Sequence, residues 1–316
     1  MFNLANPFRL REQGVMGMNQ RNCSYIGKYN DRKLFPNVDD KLKTKTLAME
    51  FDIAVPGLIG MVRFQHDVED VFAILKNHSG FCIKPAKGSG GKGILVVIGT
   101  DENGYLKASG EYVSHDEVVR HISNILAGLF SLGGASDVAV IEELIEFDPV
   151  FKDLSHEGVP DIRLIVFHGY PVMAMLRLAT HASDGKANLH QGAVGVGLCI
   201  DTGKAISAVQ YDRPIEAHPD TGKELAGINI AGWRSLLELA AACYEMSGLA
   251  YLGADLVLDK QKGPLVLELN ARPGLAIQIA NGVGILPRLK NIESIERRQP
   301  VSIADRVSYS MANFGH

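Results

Sequence analysis

The chain has 316 residues, 46% hydrophobic and 22% charged, enough for a substantial core and suggestive of two domains. A net charge of −4 excludes a strongly basic face for duplex nucleic acid and leaves room only for local basic pockets. Residues 1–22 lack a continuous apolar run, and no window reaches the roughly 18 apolar residues of a membrane span. The expectation is a cytoplasmic protein with no nucleic-acid or membrane partner. Cys23, Cys82, Cys199 and Cys243 show no CxxC pair, which reads as reduced, mostly buried thiols.

In chain order, residues 1–38 are polar and without clear periodicity. A helix is expected from about Asp39 to Glu50, and a second after Asp67, with Val68, Val71, Phe72 and Leu75 at helical spacing. Next come a strand from Phe81 to Lys84, a glycine-rich loop from Lys87 to Gly93, and a strand from Ile94 to Ile98. Ser114 and Glu117 form a capping box ahead of Val118, Ile122, Ile125 and Leu126. Val138 to Ile145 is another apolar run. Asp161 to Val209 reads as antiparallel sheet, with turns at Gly169-Tyr170-Pro171 and Asp201 to Lys204. A helix is expected over Trp233 to Ser247, stopped by Gly248, followed by a hairpin over Tyr251 to Asn270. Strand blocks with intervening helices indicate an α+β fold.

Gly88-Ser89-Gly90-Gly91-Lys92-Gly93 fits GxGxxG, but a dinucleotide-binding turn needs a helix directly after it. Here Ile94-Leu95-Val96-Val97-Ile98 is strand-like. A P-loop needs Ser or Thr after GK, and Lys92 is followed by Gly93. The remaining reading is a flexible flap between two strands, with Lys84 ending the first, whose backbone N–H groups fold over phosphates. An exposed glycine-rich hairpin is the bland alternative. No kinase catalytic loop follows.

The most specific signal is the last hairpin. With a four-residue loop, Lys260 to Gly263, Leu256 faces Leu267 and Leu258 faces Leu265. Asp255 then faces Glu268, with Asn270 two residues on. Facing carboxylates repel unless a cation lies between them, and Mg²⁺ is held by one or two carboxylates plus substrate phosphates. The alternative is the polar face of an edge hairpin.

These pieces, in this order, resemble the ATP-grasp ligases, over roughly Asp39 to Leu286. Glu268-Leu269-Asn270-Ala271-Arg272-Pro273-Gly274 is close to the family's E-[IVL]-N-x-x-P-G. Asn188-Leu189-His190-Gln191-Gly192 is similar to the NLHxG stretch of its ribosomal-protein and cofactor α-L-glutamate ligase branch, and Asp161-Ile162-Arg163 to its DIR. The resemblance implies an ATP-grasp fold, two α+β subdomains clasping ATP: 39–145 with the lysine helix and flap, and 146–290 with the antiparallel sheet. Residues 1–38 would be a short N-terminal segment, in place of a larger substrate region, and 291–316 a tail.

The resemblance further implies ATP contacts from Lys41, Lys84, Gly88, Ser89, Gly90, Gly91 and Asn188. The segment Glu142-Glu143-Leu144-Ile145 would line the adenine pocket, and Glu146 or Asp148 would take the ribose. Asp255, Glu268 and Asn270 would hold two Mg²⁺ ions, with Mn²⁺ as a substitute. Arg163 and Arg177 would act near the reacting phosphate, and Arg272 on a substrate carboxylate. Lys41 shares its helix with Lys43 and Lys45, so that assignment is open by one turn.

The implied reaction is ADP-forming carboxylate–amine ligation through an acyl-phosphate, adding an amino acid such as glutamate to a peptide, protein or small acidic acceptor. The alternatives are a non-catalytic ATP-binding regulatory protein of the same fold and an unusual kinase. The implied partner is a small molecule or peptide bearing a carboxylate and an amine, with homo-oligomerisation left open. Gly17 to Lys33, rich in amide and cationic groups, is either a wall of the acceptor site or a solvated basic linker.

Overall fold

The computed structural model describes residues 6–88, 90–151, 154–155, 158–295 and 300–315. The chain divides into two compact units. The smaller comprises Asp39–Thr46 and Val55–Glu146; the larger comprises Met1–Val38, Leu47–Ala54 and Phe147–His316.

The smaller unit is built on six antiparallel strands: β1 (Leu58–Val62), β2 (Phe81–Pro85), β3 (Leu95–Asp101), β4 (Gly104–Lys107), β5 (Tyr112–Val113) and β6 (Ala139–Glu143), in spatial order β1-β6-β2-β3-β4-β5. The helices Val71–Leu75 and His115–Leu126 supply its apolar layer, where Val71, Phe72, Leu75, Val118, Ile122 and Ile125 join Phe81, Ile83, Val97 and Ile141. Ser114 and Glu117 make the expected reciprocal cap, Glu117 N–H donating to Ser114 Oγ and Ser114 N–H to Glu117 Oε2 at 2.8 Å. The helix expected after Asp67 starts late. A 3₁₀ turn, Gln65–Asp67, precedes it, although Val68 and Val71 are both buried as their spacing required.

The larger unit holds β7 (Asp161–Phe167), β8 (Tyr170–Leu178), β9 (Val194–Leu198), β10 (Ala205–Gln210), β11 (Arg213–Ile215), β12 (Tyr251–Asp259) and β13 (Gly263–Asn270), in spatial order β11-β10-β9-β8-β7-β12-β13. Every residue of β12 is buried, so it reads as a near-continuous apolar run rather than an alternating one. The helix Trp233–Ser247 buries Trp233, Leu236, Leu237, Ala240 and Cys243 and stops at Gly248 at φ +73°.

The hairpin register departs from expectation in an instructive way. Its loop has three residues, Lys260 to Lys262, because Asp259 pairs with Gly263, which takes φ +73°. Leu256 therefore faces Val266, and Leu258 faces Pro264. A bulge at Leu267 adds one residue to β13 and restores the pairing of Asp255 with Glu268 and of Gly253 with Asn270.

Residues 6–38 are ordered rather than irregular. The helix Pro7–Glu12 is followed by short turns and a π-helical turn, Arg21–Ile26. Tyr25 packs edge-on to Phe167, and Asn30 brackets Tyr251 by accepting its N–H and donating to its carbonyl. Tyr25 and Asn30 follow no period because their partners lie in a sheet far along the chain. The cysteines also depart from expectation: Cys243 alone is buried, Cys82 and Cys199 are half-buried, and Cys23 is exposed. All four are free thiols. Among the described residues no helix is long and apolar enough to cross a membrane.

Candidate functional site

In the smaller unit, β2 and β6 pair with Cys82 opposite Glu142, which places Glu142 and Lys84 on one face of the sheet. Glu142 bridges two ammonium groups there: Lys84 Nζ at 2.5 Å from Oε2, and Lys45 Nζ at 2.8 Å from Oε1. All three side chains are almost fully buried. Burial lowers the Lys45 pKa, and the Glu142 charge works against that shift. Lys45 also donates to the Pro56 carbonyl. Lys41 lies one turn earlier and donates to the Gly88 carbonyl at 2.7 Å, on the glycine loop. The lysine helix thus offers two lysines with different partners, where sequence reading named Lys41 and left the choice open by one turn.

The loop itself has an anchored base. Both carboxylate oxygens of buried Asp137 accept the Lys87 N–H, at 3.0 and 3.1 Å, and Oδ2 also accepts the Ser131 hydroxyl at 2.6 Å. Gly90 and Gly91 sit at φ +64° and +73°, where a side chain would be strained. A Cβ on Gly93 would fall 2.4 Å from the Phe130 ring. Ser89 lies outside the described residues. At the end of β6, Glu143, Leu144 and Ile145 are half-buried and Glu146 is exposed.

In the larger unit, a neutral quartet forms across β8, β7 and β12, since Asp161 pairs with Arg177 and Arg163 with Asp255 in the ladder. Arg163 grips Asp255 through two bonds, Nε to Oδ1 at 2.7 Å and Nη2 to Oδ2 at 2.5 Å. Arg177 reaches the same Oδ2 at 2.9 Å and Asp161 Oδ1 at 2.5 Å. Burial opposes ionisation of Asp255, but the two guanidiniums outweigh it and hold the carboxyl at about 2. Asp161, buried and repelled by Asp255, is pushed up to about 6 despite Arg177.

Glu268 and Asn270 lie two residues apart on β13 and are both half-buried; Asn270 Oδ1 accepts the Arg272 N–H at 2.9 Å. Both side chains carry oxygens of the kind a hard divalent ion takes. Such an ion fits Asp255 only if that carboxylate exchanges a guanidinium for it. Among the described residues no group of three or more His, Cys, Asp or Glu side chains is placed to hold a metal.

Beside the quartet is a cavity of about 70 Å³, lined by Arg163, Met175, Arg177, Asn188, Leu189, His190, Gly274 and Ala276. Asn188 uses its side chain to cap the turn Leu189–Gln191, accepting the His190 N–H at 3.1 Å. Arg272 is exposed, its guanidinium 5.0 Å from the centre of the Phe35 ring. Asp148 accepts the Val150 N–H and starts a 3₁₀ turn, Pro149–Phe151.

Two antiparallel α+β units, a glycine loop beside buried lysines, and an acidic hairpin followed by Asn-Ala-Arg-Pro-Gly define an ATP-grasp protein. The chain belongs to the family described as sugar-transfer associated ATP-grasp, which matches residues 20–294. It is similar to ribosomal protein bS6–L-glutamate ligase of Salmonella paratyphi B, 32% identical over 138 residues, covering 43% of this chain and 34% of the relative. The chain thus spans about a third of the length of the curated relatives it matches. Among solved structures, it resembles D-alanine–D-alanine ligase from Bacillus anthracis in complex with ATP, at TM-score 0.45, 14% identity and coverage of 96% and 75%. It also resembles the ATP-grasp ligase PsnB with a minimal precursor, at TM-score 0.45, 15% identity and coverage of 89% and 63%.

Sequence reading missed Asp137 and left Lys45 as an alternative to Lys41 without deciding between them. Lys45 is one of three lysines at alternate positions on its helix, and only the distant partner Glu142 singles it out. Asp137 precedes β6 in an ordinary Ser-Asp-Val stretch and carries no signal of its own.

Proposed function

We propose that the protein is an ADP-forming carboxylate–amine ligase, which activates a carboxylate as an acyl-phosphate and passes it to an amine. The observation that carries this reading is the acidic hairpin. Asp255 and Glu268 face each other although the loop and the bulge both departed from a regular ladder. The family and the glutamate ligases that the chain resembles support the same chemistry.

In this reading Lys84, Lys45 and the loop Gly88 to Gly93 bind the triphosphate, and Glu142 holds the two buried ammonium groups in place. Glu143, Leu144 and Ile145 line the adenine, and Asp148 takes the ribose. Mg²⁺ on Glu268 and Asn270, with Asp255 contributing if Arg163 or Arg177 yields, would neutralise charge on the transferring phosphoryl group. A substrate carboxylate oxygen attacks the γ-phosphorus and ADP leaves. The amine then attacks the acyl carbon, and phosphate leaves with the carboxylate oxygen. Arg163 and Arg177, which line a small cavity beside the quartet, would act near the reacting phosphate in this reading.

The test is a phosphate-release screen with amino acids, short acidic peptides, amino sugars and uronic acids, the last two chosen because the family is described as sugar-transfer associated. Phosphate that depends on both a carboxylate and an amine supports the ligase. Release that needs neither would count against the ligase, and tight ATP binding without turnover favours a non-catalytic nucleotide-binding regulator. Arg272→Ala should raise the KM for the carboxylate or amino-acid substrate about tenfold and leave that for ATP little changed. The reverse pattern would move Arg272 to the phosphates.

A further inference from the structure

The N-terminal segment is tied to the residues that follow the acidic hairpin. Gln278, buried on the helix Ile277–Asn281, accepts the Met16 N–H at 2.8 Å and donates to the Met16 carbonyl at 3.1 Å. Arg21 Nη1 donates to the Pro273 carbonyl at 2.9 Å, and Phe35 lies under the Arg272 guanidinium. On its other side Pro273 packs against Gly253, where a Cβ would sit 2.7 Å from the ring. The turn Arg272-Pro273-Gly274 is therefore held between β12 and the segment.

Arg21 is the unusual member of this set. It is 8% exposed and opens the π-helical turn Arg21–Ile26, a geometry that recurs at functional sites. Its other two bonds, from Nε at 3.0 Å and Nη2 at 2.8 Å, both go to Asn22 Oδ1. Among the described residues no carboxylate pairs with it. A guanidinium buried among neutral acceptors costs more than an apolar side chain of similar shape, so packing does not account for an arginine here. Arginine differs from such a residue in two ways: it fixes the direction of the Pro273 carbonyl and it leaves a positive charge beside the turn. Gly274 of that turn lines the cavity with Arg163 and Arg177.

We propose that Arg21 is a positioning residue of the substrate site, holding the Arg272-Pro273-Gly274 turn so that Arg272 meets an anionic group of the substrate. The identity of that substrate rests on the ligase reading; the tie to the turn does not. Deleting the segment would strip buried Tyr25 and Ile26 from the sheet, so point variants are the cleaner probe.

Arg21→Met keeps the length and the apolar stem, and Arg21→Lys keeps the charge and one donor. The first readout is deuterium exchange of the full chain. In Arg21→Met, the amides of residues 271, 272 and 274–276 should exchange about fivefold faster or more, with Arg21→Lys in between and the rest of the chain unchanged. The second readout uses the substrate pair found in the phosphate screen. The KM of the anionic substrate should rise about tenfold, while kcat and the KM for ATP change less than about twofold. Unchanged exchange at 271–276 overturns the proposal. So does a variant that exchanges faster everywhere, or one that loses kcat or ATP affinity and keeps its substrate KM. If the wild-type protein shows no amine-dependent phosphate release, the ligase reading fails by itself. Local exchange at 271–276 then decides whether Arg21 holds the turn.

Discussion

Glu268→Gln is expected to cut ADP release by ~10²–10³-fold, the scale of losing one charge-stabilising group at a reacting centre. The substitution keeps size and hydrogen-bonding shape and removes one negative charge from β13, opposite Asp255. Glu268 is half-buried on the last strand of its sheet, and the hairpin is held by Leu265, Val266 and Leu269, which are buried. The melting midpoint should therefore stay close to that of the wild type. Steady-state phosphate release with a circular-dichroism melt checks both halves. Near wild-type release by a folded variant would sink the assignment of Glu268 to a metal.

Asp255→Asn should behave differently, because Asp255 holds the buried quartet together as well as facing Glu268. It is 3% exposed and receives three of the quartet's contacts, two from Arg163 and one from Arg177. Without its charge, two buried guanidiniums share Asp161 alone. Removing one partner of a buried ion pair costs about 3–5 kcal/mol. For a chain of this size that is a fall of about 10 °C in melting midpoint, with activity lost as well. The pH dependence has a definite sign. Arg163 and Arg177 hold the folded carboxyl at about 2, below its ordinary 3.8. The charge of Asp255 therefore stabilises fully above 3.8, and this contribution is lost as pH falls through that value toward 2. The gap between wild type and variant in thermal melts should close across that window. A gap that is absent at neutral pH would contradict the quartet.

The acidic hairpin and the glycine loop were legible in the sequence because each is local. Asp255 and Glu268 are brought together by one turn, and the glycines declare a backbone that other residues avoid. Even so, the three-residue loop and the bulge at Leu267 were not legible, and Asp255 meets Glu268 only because the two offsets cancel. The quartet was partly legible: Asp161 and Arg163 alternate on β7, and Arg177 lies on the strand expected to pair with it. What hid it was the order β8-β7-β12, which sets Arg163 beside Asp255 across 92 residues of chain. The choice of Lys45 over its helix neighbours, and the role of Arg21, were beyond reach for the same reason. Their partners Glu142 and Pro273 lie far along the chain, and nothing near Arg21 distinguishes it from the other cations of a polar segment.

The central claim is that a carboxylate is activated by phosphorylation. The most direct test supplies the substrate carboxylate labelled with ¹⁸O and follows the label, with chromatography of the nucleotide products. The account predicts ADP, together with phosphate carrying one ¹⁸O atom from the carboxylate, formed only when the amine is present or the acyl-phosphate is trapped. AMP bearing the label, with pyrophosphate as co-product, would mean adenylation and would contradict it.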